Sequence, residues 1–237
     1  DLVLIVIRQN MKCRTWRIDD VVDITRNNLN NFNPEPITIP ALFRKNCAAW
    51  GDWPAVVSKE DETYSYKDYY NESMKFAKSL LKLGLNPHEV CAMIGFNSPE
   101  YYFSLQGTWM AGCVTAGIYT TNSPEACEYV LTHSESRVCV CQSGKSAMKI
   151  LSIRDNLPLL KAIVIYWPED EMPEVEDKEG VAKVYRWDDF LKLGESIEEA
   201  EVDKRIDAIV PGNCATLIYT SGTTGNPKGV MCSHDGC

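Results

Sequence analysis

The residues best suited to chemistry crowd into ten positions near the end of the 237-residue chain: Thr220 to Gly229, TSGTTGNPKG, directly after the apolar run Cys214 to Tyr219. Three glycines, three threonines, one serine and one lysine share this stretch. Glycine opens backbone conformations closed to other residues, so successive N–H groups can turn toward one anion. The hydroxyls of Thr220, Ser221, Thr223 and Thr224 add donors that need no deprotonation, and Lys228 adds a cation. The combination suits a polyphosphate. Each hydrogen bond to a charged group contributes roughly 1.5–3 kcal/mol, so three or four would support about micromolar nucleotide binding once loop ordering is subtracted. A Gly/Thr-rich turn joining two strands would draw on the same residue types.

The spacing differs from that of other phosphate loops. In the G-x-x-x-x-G-K-[ST] loop a lysine follows the last glycine and a helix follows the lysine. Here Pro227 precedes Lys228, no Ser or Thr follows it, and Gly229-Val230-Met231 reads as another strand. The dinucleotide fingerprint G-x-G-x-x-G is absent as well.

The elements that must position this run alternate between helix and strand. Ser65 with Asp68 forms a capping-box pattern, and Tyr70, Met74, Ala77 and Leu81 then recur at helical spacing up to Gly84. Val90 to Phe96 is an apolar run, which predicts a strand buried on both faces. Ser98-Pro99 opens a helix with Tyr102, Leu105 and Trp109 on one side and Gly112 at its end, followed by strand Val114 to Ile118. Ser123-Pro124 opens the next, carrying Cys127, Val130 and Leu131, followed by strand Val138 to Cys141, a helix around Ile150 and strand Ala162 to Tyr166. The acidic stretch Pro168 to Gly180 reads as a solvated loop, Trp187 to Leu193 as a short helix, and the polar stretch to Pro211 as a lead into strand Cys214 to Tyr219. Alternation of this kind predicts an α/β fold whose largely parallel sheet is flanked by helices. Asn97-Ser98-Pro99 and Thr121-Asn122-Ser123-Pro124 follow strands, where ligands are often held, but helix capping explains both fully. A helix burying aromatics against a sheet likewise accounts for Tyr101, Tyr102, Phe103 and Trp109 without an acyl pocket.

Composition narrows the partners. A net charge of −9 and a pI of about 4.9 give no general attraction to nucleic acid or anionic lipid, so basic residues act locally. The apolar stretch Leu2 to Ile7 is far short of a membrane span. Residues 1–14 are read as an uncertain leader or remnant and 15–237 as one partial domain. Ten cysteines in a chain large enough to pack without staples, most of them inside apolar runs, indicate free thiols in a reducing compartment. The close pair Cys139 and Cys141, with His133 as the nearest imidazole, lacks the spacing of a structural zinc site, and no metal ligand is assigned.

The run Tyr219 to Gly229, YTSGTTGNPKG, resembles the phosphate-loop signature of the adenylate-forming (AMP-binding) superfamily, which includes acyl-CoA synthetases, luciferases and peptide-synthetase adenylation domains. Gly95 to Val130 is similar to long-chain acyl-CoA synthetases of the bubblegum type. The resemblance implies the N-terminal portion of the large domain of such an enzyme, incomplete after the phosphate loop. It implies an ATP-dependent fatty acid–CoA ligase that uses Mg²⁺ with the nucleotide and CoA as co-substrate. Thr220, Ser221, Gly222, Thr223, Thr224 and Gly225 would clamp the β- and γ-phosphates, and Lys228 would stabilise the departing pyrophosphate without acting as a nucleophile. Transfer to a carrier-protein thiol, and a non-catalytic fragment with at most weak nucleotide binding, are the alternative readings. A cytoplasmic location is implied, with peripheral attachment to the endoplasmic reticulum or another membrane left open and no oligomeric state indicated.

The chain departs from the family pattern at one place. Ser233-His234-Asp235 is followed by Gly236, where the family continues Ser-His-x-Asn. His234 is the imidazole nearest the loop, and a lone histidine after a strand is usually structural. The family's segments for adenine, ribose, the hinge and the C-terminal lysine would lie beyond Cys237, so these residues alone are expected not to complete the reaction.

Overall fold

A computed structural model of the chain describes residues 15–24, 34–58, 62–167, 175–176, 178–220 and 226–237. Leu2 to Ile7, most of the acidic stretch from Pro168 onward, and Ser221 to Gly225 lie outside the described residues. Seven strands form one sheet: β3 (Val90–Ile94), β4 (Val114–Ile118), β5 (Ser136–Ser143), β6 (Ala162–Trp167), β7 (Lys183–Arg186), β8 (Cys214–Thr220) and β9 (Lys228–Ser233). Their order is β7-β6-β5-β3-β4-β8-β9, and every neighbouring pair is parallel except β8 with β9. An antiparallel hairpin of β1 (Pro54–Val57) and β2 (Thr63–Ser65) stands apart from this sheet.

The helices begin where short polar side chains satisfy the free N–H groups of a first turn. Helix α2 (Tyr66–Lys82) has the full reciprocal box, with Asp68 N donating to Ser65 Oγ at 3.1 Å and Ser65 N donating to Asp68 Oδ2 at 3.0 Å. The Ser65 hydroxyl, donating to Asp68 Oδ2 at 2.6 Å, and then the Ser65 N–H hold the Asp68 carboxyl below the usual carboxylate range. Thr38, Ser98, Ser123 and Ser143 each accept one backbone N–H bond at the start of α1 (Ile39–Trp50), α3 (Pro99–Met110), α4 (Pro124–His133) and α5 (Gly144–Leu151). At the other end of α2, Gly84 adopts a φ of 72°, which lets Gly84 N reach Leu81 O and Leu85 N reach Leu80 O. Gly112, with a φ of 74°, ends α3 identically.

The sheet is covered on both faces. One core joins Ala92, Ile94, Ala116, Cys139, Ile163 and Leu217 to α4 and α5 through Cys127, Leu131, Ala147 and Ile150. The other joins Cys91, Met93, Val140 and Val164 to α1, α2 and α3, and to α6 (Trp187–Leu193) and α7 (Glu199–Ala208) through Phe43, Phe76, Met110, Phe190 and Ile206. This is the helix-flanked, largely parallel α/β sheet anticipated from the alternation, and every residue of β3 is buried. Phe96, expected inside that strand, is 68% exposed beyond its end.

Two expectations need correction. In α3 the side with Tyr102, Leu105 and Trp109 is only half-buried, while Phe103, Gly107 and Met110 are buried. The cause is a close crossing: a Cβ on Gly107 would sit 2.6 Å from the Ser73 carbonyl oxygen of α2, so the packed side lies where the small residue is. The polar stretch before Pro211 contains α7, held by Val202 and Ile206 in the core and by Arg44 of α1, which reaches Asp203 and Asp207 at 3.0 Å each. Among the described residues no helix is long and apolar enough to cross a membrane.

Candidate functional site

Strand β8 runs parallel to β4 and β3, so Thr220 at its end emerges on the same sheet edge as Gly95-Phe96 and Tyr119-Thr120. From this edge β3 leads into α3 on one face and adjacent β4 leads into α4 on the other. Such a reversal leaves a crevice outside the strand ends, the usual ligand position in open α/β sheets. A cavity of about 380 Å³ lies there, lined in part by Met93, Phe96, Tyr101, Leu105, Tyr119 and Ile218. Tyr101, one of the aromatics of α3 weighed from sequence, lines this cavity.

Strand β9 returns antiparallel along β8, and the last matched pair is Thr220 with Lys228, preceded by Tyr219 with Gly229. The hydroxyl of Thr220 and the ammonium of Lys228 therefore project from facing positions at the mouth of one hairpin, and both residues are exposed. The strand after Lys228 excludes the helix that a G-K-[ST] loop requires. Ser221, Gly222, Thr223, Thr224 and Gly225 lie outside the described residues. What the described geometry offers an anion is one cation and one hydroxyl at the mouth of a hairpin, on the edge of the sheet where its parallel strands end.

Two side chains from α4 brace this hairpin from the sheet's other side. Tyr129 Oη donates to the Pro227 carbonyl oxygen at 2.9 Å, and His133 Nδ1 shares a 2.9 Å hydrogen bond with Tyr219 Oη. Tyr219 is 4% exposed, and burial pushes its phenol up to about 12. Neither Tyr129 nor His133 was singled out from sequence for a role at the loop, because their partners lie 98 and 86 residues away. The one local signal is their spacing of four on a helix, which puts both rings on one side. Engaged there, His133 does not join Cys139 and Cys141, whose Sγ atoms are 3.9 Å apart inside β5.

His234 has a structural environment. It is 5% exposed, its N–H donates to Asn213 O at 3.0 Å, and burial, reinforced by His88, pulls its imidazole down to about 4. It is held neutral, away from solvent, as the residue where β9 ends in a short 3₁₀ turn.

The model of the AMP-binding enzyme family matches residues 43–237. The chain belongs to the AMP-binding enzyme family. It is 40% identical over 229 residues to the long-chain-fatty-acid–CoA ligase ACSBG2 of Xenopus laevis, covering 95% of this chain and 30% of that one. With the long-chain-fatty-acid–CoA ligase ACSBG1 of Rattus norvegicus it shares 42% identity over 203 residues, 84% of this chain and 27% of that one. The chain thus spans a little under a third of these curated relatives. Among solved structures, the anthranilate CoA ligase AuaEII, in complex with anthranoyl-AMP, matches with a TM-score of 0.67 at 24% identity over 86% of this chain and 36% of that one. Coronafacic acid ligase from Pectobacterium brasiliense matches with a TM-score of 0.66 at 17% identity, over 84% of this chain and 35% of that one. These two likenesses establish the fold of the chain.

Proposed function

We propose that this chain is the triphosphate-gripping part of an ATP-dependent long-chain fatty acid–CoA ligase. The observation that carries the proposal is the hairpin mouth, where Thr220 and Lys228 face each other at the ligand-bearing edge of an AMP-binding fold. Identity near 40% to long-chain-fatty-acid–CoA ligases supports the choice of acid.

In this reading the fatty carboxylate attacks the α-phosphorus of ATP and pyrophosphate leaves. The thiol of CoA then attacks the acyl adenylate, and AMP leaves. Thr220, with Ser221 to Gly225 following it in sequence, holds the β- and γ-phosphates. Lys228 neutralises the charge that builds on pyrophosphate as the bond to the α-phosphorus breaks. None of these side chains forms a covalent bond with substrate. When bound, Mg²⁺ would be held largely by the substrate phosphates and would offset their charge, with no side chain of this chain assigned to it. All nine cysteines among the described residues are free thiols, which supports a reducing, cytoplasmic setting, with peripheral membrane contact left open.

The test is fatty-acid-dependent exchange of labelled pyrophosphate into ATP by the full-length protein. Exchange that requires a long-chain acid supports the proposal. Exchange driven equally well by short or aromatic acids would contradict the substrate class, and no exchange with any acid would contradict the adenylation step.

A further inference from the structure

We propose that Tyr129 and His133 are positioning residues of this enzyme: from one side of α4 they set the relative placement of Thr220 and Lys228, and through them the grip on ATP. The inference rests on the function proposed above, because it concerns what the hairpin holds.

The hairpin needs an external reference. Among the described residues β9 pairs with β8 alone, while β8 also pairs with β4. A strand held by one ladder can shift against its neighbour, and a shift of about an ångström at a phosphate site costs much of its effect. Helix α4 supplies a fixed frame. Its start is capped by Ser123, and Cys127, Val130 and Leu131 bury one side of it in the core.

Two bonds leave the opposite side of this helix, and each goes to a different leg. The Tyr129 hydroxyl holds Pro227, the residue before Lys228, and the His133 ring holds Tyr219, the residue before Thr220. The two α4 rings stack, with centroids 5.4 Å apart and planes 25° apart, so each limits the other's rotation. His133 meets the Tyr219 ring edge-on at 5.7 Å and 81°. Across the ladder from Tyr219 stands Gly229, where an added Cβ would come 3.3 Å from the phenol carbon Cζ. The Tyr219 ring thus fills the space a side chain at position 229 would take. The result is a three-ring wedge that flanks the Thr220–Lys228 pair, touching Tyr219 on its sheet side and Pro227 on its loop side.

The test uses the full-length protein with three variants. Tyr129→Phe deletes the bond to Pro227 and keeps the stack; His133→Ala deletes the bond to Tyr219; His133→Asn restores a polar atom near the position of Nδ1. Removal of one such hydrogen bond is expected to raise KM for ATP, or to lower the pyrophosphate exchange rate, about 2- to 10-fold. KM for the fatty acid and the melting temperature should stay put, and His133→Asn should recover most of the loss. Tyr129→Phe with His133→Ala should cost less than the product of the two single effects, because both act on one hairpin. A fall in melting temperature that scales every kinetic constant alike would overturn the proposal in favour of a purely structural role. Unchanged ATP kinetics in Tyr129→Phe and His133→Ala would overturn it too. If Lys228→Ala disables exchange while these variants do not, only the positioning role fails; if Lys228→Ala is also silent, the functional reading fails with it.

Discussion

The middle of the sheet and its β8–β9 end are built on opposite principles. In β3, β4, β5 and β6, apolar residues are buried on both faces, and the neighbouring ladders are parallel, with one register shift between β3 and β5 at Val90–Cys91. At the other end β8 alternates between buried and open positions from Leu217 to Thr220, no residue of β9 is buried, and β8 matches β4 at only two residue pairs, Thr115 with Thr216 and Ala116 with Leu217. There the work of holding the chain passes to individual polar bonds. Trp109 Nε1 donates to Ala215 O at 2.8 Å, and the Tyr129 and His133 bonds reach the hairpin. The contrast teaches where damage should show: in stability for the middle, in nucleotide kinetics for the end.

The largest effect should come from the middle. Phe76 is fully buried, with Trp187 stacked at 5.5 Å and Phe190 at 5.2 Å, so Phe76→Ala should cost about 3–5 kcal/mol of unfolding free energy, read by urea titration. Where enough folded protein survives, its KM for ATP should match the parent's. At the hairpin, Lys228→Ala should lower fatty-acid-dependent pyrophosphate exchange about 10²- to 10³-fold, the range found when one stabilising donor is removed from a transition state, with little change in melting temperature. A loss of stability in place of exchange would erase the distinction between the two regions.

Next in size is a pH effect at the closing turn of β9. Burial lowers the His234 imidazole to about 4 in the folded chain against about 6.5 unfolded, so the unfolded chain binds more protons between those values. The stability from keeping His234 neutral is therefore complete above about pH 6.5 and is lost as pH falls toward 4, by up to about 3 kcal/mol. Urea midpoints measured from pH 7 down to pH 4.5 should fall in the parent and flatten in His234→Asn. The smallest effect is Ser65→Ala at the α2 box, about 1 kcal/mol in stability with no change in ATP kinetics.

What could be read from the sequence follows the same division. The middle was legible because buried parallel strands are continuous apolar runs and their helices start at Ser-Pro or Ser-x-x-Asp signals. Helix α7 was not, since only Val202 and Ile206 reach the core from an otherwise charged segment, and no side chain caps its start. Strand β7 and the β1–β2 hairpin are too short for a period to emerge, at four, four and three residues. Strand order was also out of reach, because parallel strands joined by helices carry no local mark of their neighbours, and β8 settles beside β4 rather than β7. At the site, residue types named Thr220 and Lys228 as candidates, and the hairpin register brings that pair together. The braces from α4 stayed hidden because a tyrosine and a histidine on a helix announce nothing until the fold puts a distant carbonyl and phenol in reach.

The central claim is that the mouth of the β8–β9 hairpin holds the phosphates of ATP. A crystal structure of the full-length protein with a non-hydrolysable ATP analogue tests it most directly. The account predicts phosphate oxygens within hydrogen-bond reach of Thr220 Oγ1 and Lys228 Nζ, with Tyr129 and His133 still bonded to Pro227 and Tyr219. A triphosphate seated away from this hairpin, with Lys228 facing solvent, would contradict it.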